Sequence, residues 1–250
     1  MSSEENKVIV KTDIKKIFKE YQIELEKNEL ETLEKFLELF IEKNSKINLS
    51  AIREKNDILL KHFLDSIILN TFIDFNEESF WDSKNIKIAD LWTGGGFPLI
   101  PLAIINPDIE FVWIDSVSKK LKAVDEFSKD LWLDNVKTLN WRAEEIGQNP
   151  KYREQFDFVV SRATAYFPVL LEYVIPLLKV WGIFCAYKLD DKEELKSIKK
   201  ALSRLSAKII KVKNYEIEWQ KRVIVFIEKN QVTHKKYPRK VWIPSQKPIK

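Results

Sequence analysis

Apolar residues recur at three- and four-residue spacing through residues 12–73. Leu30, Leu33, Leu37, Phe40 and Ile41 form one stripe, and Ile58, Leu59, Phe63, Ile67 and Ile68 form another. That period predicts amphipathic helices and leaves no room for strand alternation. From residue 86 the texture changes to short β-rich runs at 86–91, 109–114, 136–139, 156–161, 183–187, 207–212 and 222–228, with helical patterns between most of them. Strands alternating with helices predict a mostly parallel sheet covered on both faces. The last two runs have no helix between them, which predicts an antiparallel pair at one edge.

The first run leads into Trp92-Thr93-Gly94-Gly95-Gly96, and a helix is expected to begin at Phe97-Pro98, where proline suits the first turn. Glycine lets the backbone turn sharply and approach a ligand, while a helix start offers unpaired N–H groups. In open α/β sheets, ligands bind in the crevice beyond the strand ends. The second run ends at Asp115, about 20 residues further on, where an acid can bond both hydroxyls of a ribose. The alternative for Asp115, with Ser116, is to cap the helix starting near Ser118. The loop has neither the dinucleotide spacing nor the lysine of a phosphate loop. A phosphate-free ligand such as S-adenosylmethionine needs neither, which turns the expectation toward a methyl donor.

Length and composition add bounds. A chain of 250 residues, 45% hydrophobic and 32% charged, suits one α/β domain with a modest extension. No apolar run approaches the ~20 residues of a membrane span, and the N-terminus lacks signal-peptide order, so a cytoplasmic protein is expected. The one cysteine, Cys185, lies in an apolar strand-like run and reads as a core thiol. The net charge of +4 is concentrated at the C-terminus, since residues 229–250 hold seven Lys or Arg and no acid. Such a tail either touches phosphates or is a solvated aid to solubility.

Several segments in order resemble the bacterial 16S ribosomal RNA guanine-N7 methyltransferases of the glucose-inhibited-division-protein-B type. They are Asn48-Leu49-Ser50-Ala51-Ile52-Arg53, His62-Phe63-Leu64-Asp65-Ser66, the glycine loop, Ile114-Asp115-Ser116, Arg142-Ala143-Glu144-Glu145, Ser161-Arg162-Ala163, Tyr187-Lys188 and Tyr237-Pro238-Arg239-Lys240. The resemblance implies a class I methyltransferase: a Rossmann-like, mostly parallel seven-stranded sheet in three layers. Residues 1–250 would form one domain, with a helical cap at about 1–80, the core at about 86–228 and the basic tail at 229–250. It also implies S-adenosylmethionine as donor, 16S ribosomal RNA or the small subunit as partner, no metal or membrane, and a monomer. Carried over, the donor site uses Trp92, Gly94, Gly95, Gly96, Phe97, Asp115, Ala143, Glu144 and Arg162, while Lys188, Arg239 and Lys240 hold RNA phosphates. Taken alone, Arg142 and Glu144 read as a surface ion pair, and His62 with Asp65, one helical turn apart, as a packing hydrogen bond rather than a catalytic group.

Guanine N7 has a free lone pair and loses no proton on alkylation, so transfer needs in-line positioning rather than a general base. No base is nominated. The rival readings are a methyltransferase for another RNA or a protein, a non-catalytic RNA-binding relative and, more distantly, a nicotinamide dehydrogenase.

One residue breaks the resemblance. The family's loop has glycine where this chain has Trp92, and an indole there takes space the donor needs. The chain has only five glycines and as many as eight tryptophans, against a usual glycine share of ~7%. Trp132, Trp141, Trp181 and Trp242 also stand at family glycine positions, and Trp81, Trp113 and Trp219 tolerate glycine. Three readings remain open: an inactive relative, genuine core tryptophans, or UGA codons that the cell reads as glycine.

Overall fold

The computed structural model describes residues 14–75, 86–92, 94–162 and 165–249. Trp81, Thr93, Ala163 and Lys250 lie outside the described residues, as do the first positions of the helical region and the expected border of the cap near residue 80. All seven expected strands form: β1 (Lys87–Leu91), β2 (Glu110–Asp115), β3 (Val136–Asn140), β4 (Phe156–Ser161), β5 (Leu178–Leu189), β6 (Ala207–Ile217) and β7 (Gln220–Lys229). Their order in the sheet is β3-β2-β1-β4-β5-β7-β6. The first five run parallel, and β7 pairs antiparallel with both β5 and β6. β5 is longer than its apolar run, because its register against β4 jumps between Phe156↔Leu178 and Phe158↔Ile183. The intervening residues bulge and hide the strand's start from any period-two pattern.

The helices are α1 (Ile14–Glu20), α2 (Lys27–Ile47), α3 (Lys55–Ile58), α4 (Asp65–Ile67), α5 (Leu99–Ile105), α6 (Ser118–Asp130), α7 (Ala143–Ile146), α8 (Phe167–Val174), α9 (Lys192–Ser197), α10 (Lys199–Leu205) and α11 (Ile243–Gln246). A π-helical stretch, Leu59–Leu64, joins α3 to α4, so residues 55–67 form one continuous rod that is wider and under-wound in its middle. α5 begins one residue later than expected, with Pro98 in the capping position.

Two apolar clusters cover the two sheet faces. The stripes of the N-terminal helices, with Phe36, Phe40 and Phe63, merge with Phe111, Phe127 and Phe158 into one core. Phe167, Leu170 and Val174 of α8 pack with Phe184 and Ile227 on the other face. This is the three-layer α/β arrangement expected, and the cap shares the core of the sheet instead of sitting beside it.

The basic tail is docked through its backbone and through Lys229 and Arg239, while Lys235, Lys236, Lys240 and Lys247 stay exposed. Arg153 donates to the carbonyls of Thr233 and Tyr237, each at 2.7 Å, and Gln148 to that of Pro238 at 2.7 Å. Lys229, fully buried, pairs with Glu154 at 2.7 Å. Arg239 grips the fully buried Glu172 of α8 with its side chain at 2.6 and 2.8 Å and with its backbone N–H at 2.8 Å. Removing one partner of such a pair strands a charge in the core. Arg239→Ala is therefore expected to lower unfolding free energy by about 3–5 kcal/mol, measured by denaturant titration, with Glu172→Met restoring most of the loss in the double variant.

Candidate functional site

The parallel strands all present their carboxyl ends to one edge of the sheet, and most of the expected site residues follow those ends. Trp92 succeeds β1, Asp115 closes β2, Ala143 opens α7 three residues after β3, and Arg162 succeeds β4. The register pairs Leu91 with Ile114 and Asp115 with Asn140, so the loop, the acid and the start of α7 lie on consecutive strands. This is the crevice where ligands of open α/β sheets bind.

The three loop glycines serve different ends. Gly94 has φ +65°, and a Cβ there meets nothing within 4 Å, so its demand is conformational. A Cβ on Gly95 would come within 2.8 Å of the Phe40 ring and 3.0 Å of Leu49, so this glycine lets the cap close on the loop. Gly96 combines φ +101° with a 3.0 Å approach to Ile100. Phe97 turns its ring into the cap, stacked on His62 at 4.8 Å and edge-on to Phe40 at 4.9 Å, so only its backbone remains at the loop.

Asp115 is buried and accepts the Val117 N–H through Oδ1 at 2.9 Å, a turn contact immediately before α6. The helix cap does not form, since Val117 is the N-cap of α6 without a side-chain cap bond; Oδ1 closes the preceding turn, and the carboxylate stands at the end of β2. Glu144 is buried as well. Its Oε1 accepts the Tyr173 hydroxyl at 3.2 Å and the Trp242 N–H at 3.1 Å, and burial together with Glu144 pushes the Tyr173 hydroxyl pKa up. The surface pair of Arg142 with Glu144 does not form; the Arg142 guanidinium instead lies 4.2 Å from the centre of the Trp242 ring.

Trp92 has φ +62°, and its indole stands edge-on to Tyr173 at 5.4 Å, between the loop and the Tyr173–Glu144 pair.

A second set of groups lies on the other side of β4, and sequence reasoning saw only half of it. Asp65 is fully buried and accepts from Arg162 at 3.1 Å, Arg222 at 2.9 Å and the Tyr215 hydroxyl at 2.7 Å. Arg162 also donates to the Lys61 carbonyl at 2.7 Å and to His62 Nδ1 at 2.8 Å. Since Nδ1 accepts, the ring proton sits on Nε2, which reaches Ser50 Oγ at 2.7 Å. Burial, then the charge of Arg162, pushes the His62 pKa down to about 3. Tyr187 adds a hydroxyl bond to the Ser66 carbonyl at 2.7 Å. Tyr215 and Arg222 were not legible as site residues, because they lie 150 and 157 positions from Asp65. Arg162, His62, Tyr187, Tyr215 and Arg222 line a cavity of about 950 Å³ that opens between the cap, β5 and the β6–β7 hairpin.

Of the residues expected to hold phosphate, Lys188 is largely buried and bonds Glu194 at 2.7 Å and the Ala165 carbonyl at 3.0 Å. Arg239 is held by Glu172, as above, and Lys240 is exposed. Cys185 is buried in β5, where desolvation pushes its thiol pKa up, as befits a core residue. Among the described residues no group of three or more His, Cys, Asp or Glu could hold a metal ion, and no helix is long and apolar enough to cross a membrane.

The depressed pKa of His62 has a sign that can be measured. Between its ordinary 6.5 and about 3 the unfolded chain holds a proton that the folded chain refuses, so stability falls as pH falls through that window. His62→Gln is expected to flatten the stability profile there by up to about 1.4 kcal/mol per pH unit, read by denaturant titrations at pH 4, 5 and 6.

Comparison with known proteins agrees with this geometry. The chain matches the GidB family, described as rRNA small subunit methyltransferase G, over residues 29–225. It is 42% identical over 235 residues to the ribosomal RNA small subunit methyltransferase G of Lactococcus lactis subsp. lactis (strain IL1403), covering 92% of this chain and 95% of that one. The protein of the same name from Desulfitobacterium hafniense (strain Y51) is 41% identical over 230 residues, covering 91% and 92%. Among solved structures, a putative sarcosine dimethylglycine methyltransferase from Galdieria sulphuraria superposes with a TM-score of 0.51 at 12% identity, covering 71% of this chain and 88% of that one, a likeness of fold alone. Sheet order, the strand-end crevice and these matches together make the chain a member of the GidB family of rRNA small subunit methyltransferases.

Proposed function

We propose that the protein transfers a methyl group from S-adenosylmethionine to N7 of a guanine in 16S ribosomal RNA, working in the cytoplasm as a monomer on RNA or the small subunit. The observation that carries this reading is the placement of the Gly94–Gly96 turn, Asp115 and Ala143 at consecutive strand ends in a chain of this family. The donor supplies an electrophilic methyl on a sulfonium. Everything else the chain must provide is position. Asp115 bonds the ribose hydroxyls, Ala143 leaves flat space for the adenine, and Gly94 keeps the turn open.

The cavity beside Arg162 receives the guanine. Its volume accommodates a nucleotide, and Arg162 is fixed by three partners at its mouth. His62, held neutral with its lone pair committed to Arg162, is a positioning residue and takes no proton from N7. That agrees with an acceptor that has none to give. The phosphate contacts proposed for Lys188 and Arg239 shift to exposed lysines of the tail, Lys240 with Lys235 and Lys236, because the first two have carboxylates of their own.

The test is to incubate protein isolated from its own cells with labelled donor and unmodified small subunits or bare 16S RNA. Label on guanine N7 is expected, and donor binding without labelling would reject the acceptor. Asp115→Ala is expected to weaken donor binding by roughly ten- to a hundredfold, seen by calorimetry. RNA affinity should fall with salt, and Lys240→Ala should lower the slope of log affinity against log salt by about 1, whereas an unchanged slope would remove Lys240 from the RNA face.

A further inference from the structure

Nine non-glycine residues among those described have a left-handed backbone. Five are polar residues in turns or at helix ends: Gln22, Asn48, Glu154, Ser206 and Glu218. The other four are Trp92 (φ +62°), Trp132 (φ +57°), Trp181 (φ +71°) and Trp242 (φ +71°). Tryptophan is eight of 250 residues, yet it supplies nearly half of this set. A bulky side chain in that region is a steric outlier, and glycine is its normal occupant. Two of the five glycines, Gly94 and Gly96, sit there as expected.

Each location has the form of a glycine slot. At the end of α6, the Leu133 N–H bonds the Ser128 carbonyl at 2.9 Å and the Trp132 N–H bonds that of Lys129 at 3.1 Å. This is a Schellman closure with Trp132 at the position that glycine takes in most such motifs. Trp181 lies within β5, at the bulge where the strand shifts register against β4, directly before Gly182, whose own Cβ would meet the Lys179 carbonyl at 2.9 Å. Trp242 begins α11 with its N–H on Glu144.

The indoles bury little of their surface in these places: Trp132 is 85% exposed, Trp181 59% and Trp242 58%, the last with the Arg142 guanidinium over its ring. Large apolar rings are ordinarily put to use in cores or interfaces. A decayed active site would account for Trp92 alone, not for three positions scattered over the surface.

We infer that positions 92, 132, 181 and 242 carry glycine in the polypeptide the cell makes, their codons being UGA read by a glycine-accepting tRNA. Tryptophan at these positions is then the reading of a different code. Positions 132 and 181 stand apart from the donor crevice, so the inference does not depend on the methyl-transfer reading. At position 92 it removes the indole that stands edge-on to Tyr173, whose hydroxyl bonds Glu144.

The experiment reads the four codons and weighs the tryptic peptides of the protein from its own cells, above all residues 130–137 and 180–188. Expected are UGA codons and peptides lighter by the difference between tryptophan and glycine at each site. UGG codons, or UGA codons with peptides that retain the indole mass, overturn the inference. As a second readout, the chain is made in a standard-code host with tryptophan written as UGG. Trp132→Gly and Trp181→Gly should each raise the thermal midpoint by roughly 2–4 °C as a left-handed strain is relieved. A fall at both positions would mean that the backbone there is built for the indole and would also overturn it.

Discussion

The buried carboxylate of Asp65 is the constraint around which the rest is arranged. One acid, fully enclosed, receives Arg162 from the end of β4 and both Arg222 and Tyr215 from the edge hairpin. An unpaired charge at that depth would be prohibitive, and a paired one is stable only with its lone pairs satisfied. The α3–α4 rod must therefore dock so that all three donors meet at one point. That docking sets His62 against Phe97 and the cap against Gly95, which makes the cap a wall of the site as well as part of the core. The π-helical turn between α3 and α4 is consistent with this demand, since such wider, under-wound turns occur frequently at functional sites.

The same network accounts for segments that looked unrelated in the sequence. Asn44, at the end of α2, bonds the Ser50 N–H and the Ile52 carbonyl; Arg53 bonds the Asn44 carbonyl and the Asn48 side chain. These contacts shape the 48–53 turn so that Ser50 reaches His62. His62 then orients Arg162, while Tyr187 bonds the same rod through Ser66. Motifs spread over nearly 140 residues are thus one hydrogen-bonded structure, and its output is a fixed guanidinium beside a cavity. A reaction that needs alignment and no proton transfer is well served by such an arrangement.

What was legible in the sequence was what depends on local period and local spacing. The seven strands, the edge hairpin, the loop and Asp115 all follow from patterns within about twenty residues. What was not legible depends on partners far along the chain. Nothing near Arg239 announces Glu172, 67 positions away, as a core acid, so Arg239 read as a free cation until the fold supplied its counter-charge. Lys188 is the exception, since its partner Glu194 lies only six residues on and becomes a partner when the chain turns from β5 into α9. The tail was legible only in part: several of its lysines are exposed, as a solvated run has them, but its carbonyls are taken up by Arg153 and Gln148 from far along the chain. β5 was cut short because a register jump interrupts alternation without interrupting pairing.

Tryptophan marks the point where fold and function differ in what they tolerate. At positions 132, 181 and 242 an indole points mostly into solvent, so the fold absorbs it at the cost of local backbone strain and loses no core contact. At position 92 the same side chain stands inside a crevice, where its volume matters more than its torsion angle. Composition alone could flag too many tryptophans and too few glycines, but it could not say which tryptophans were out of place. The sign of φ does. It separates Trp113, a buried strand residue, from four positions whose backbone is left-handed whatever side chain is written there. Because the surface positions and the crevice position share that backbone signature, one cause explains them together, and the crevice requires no separate account of lost activity.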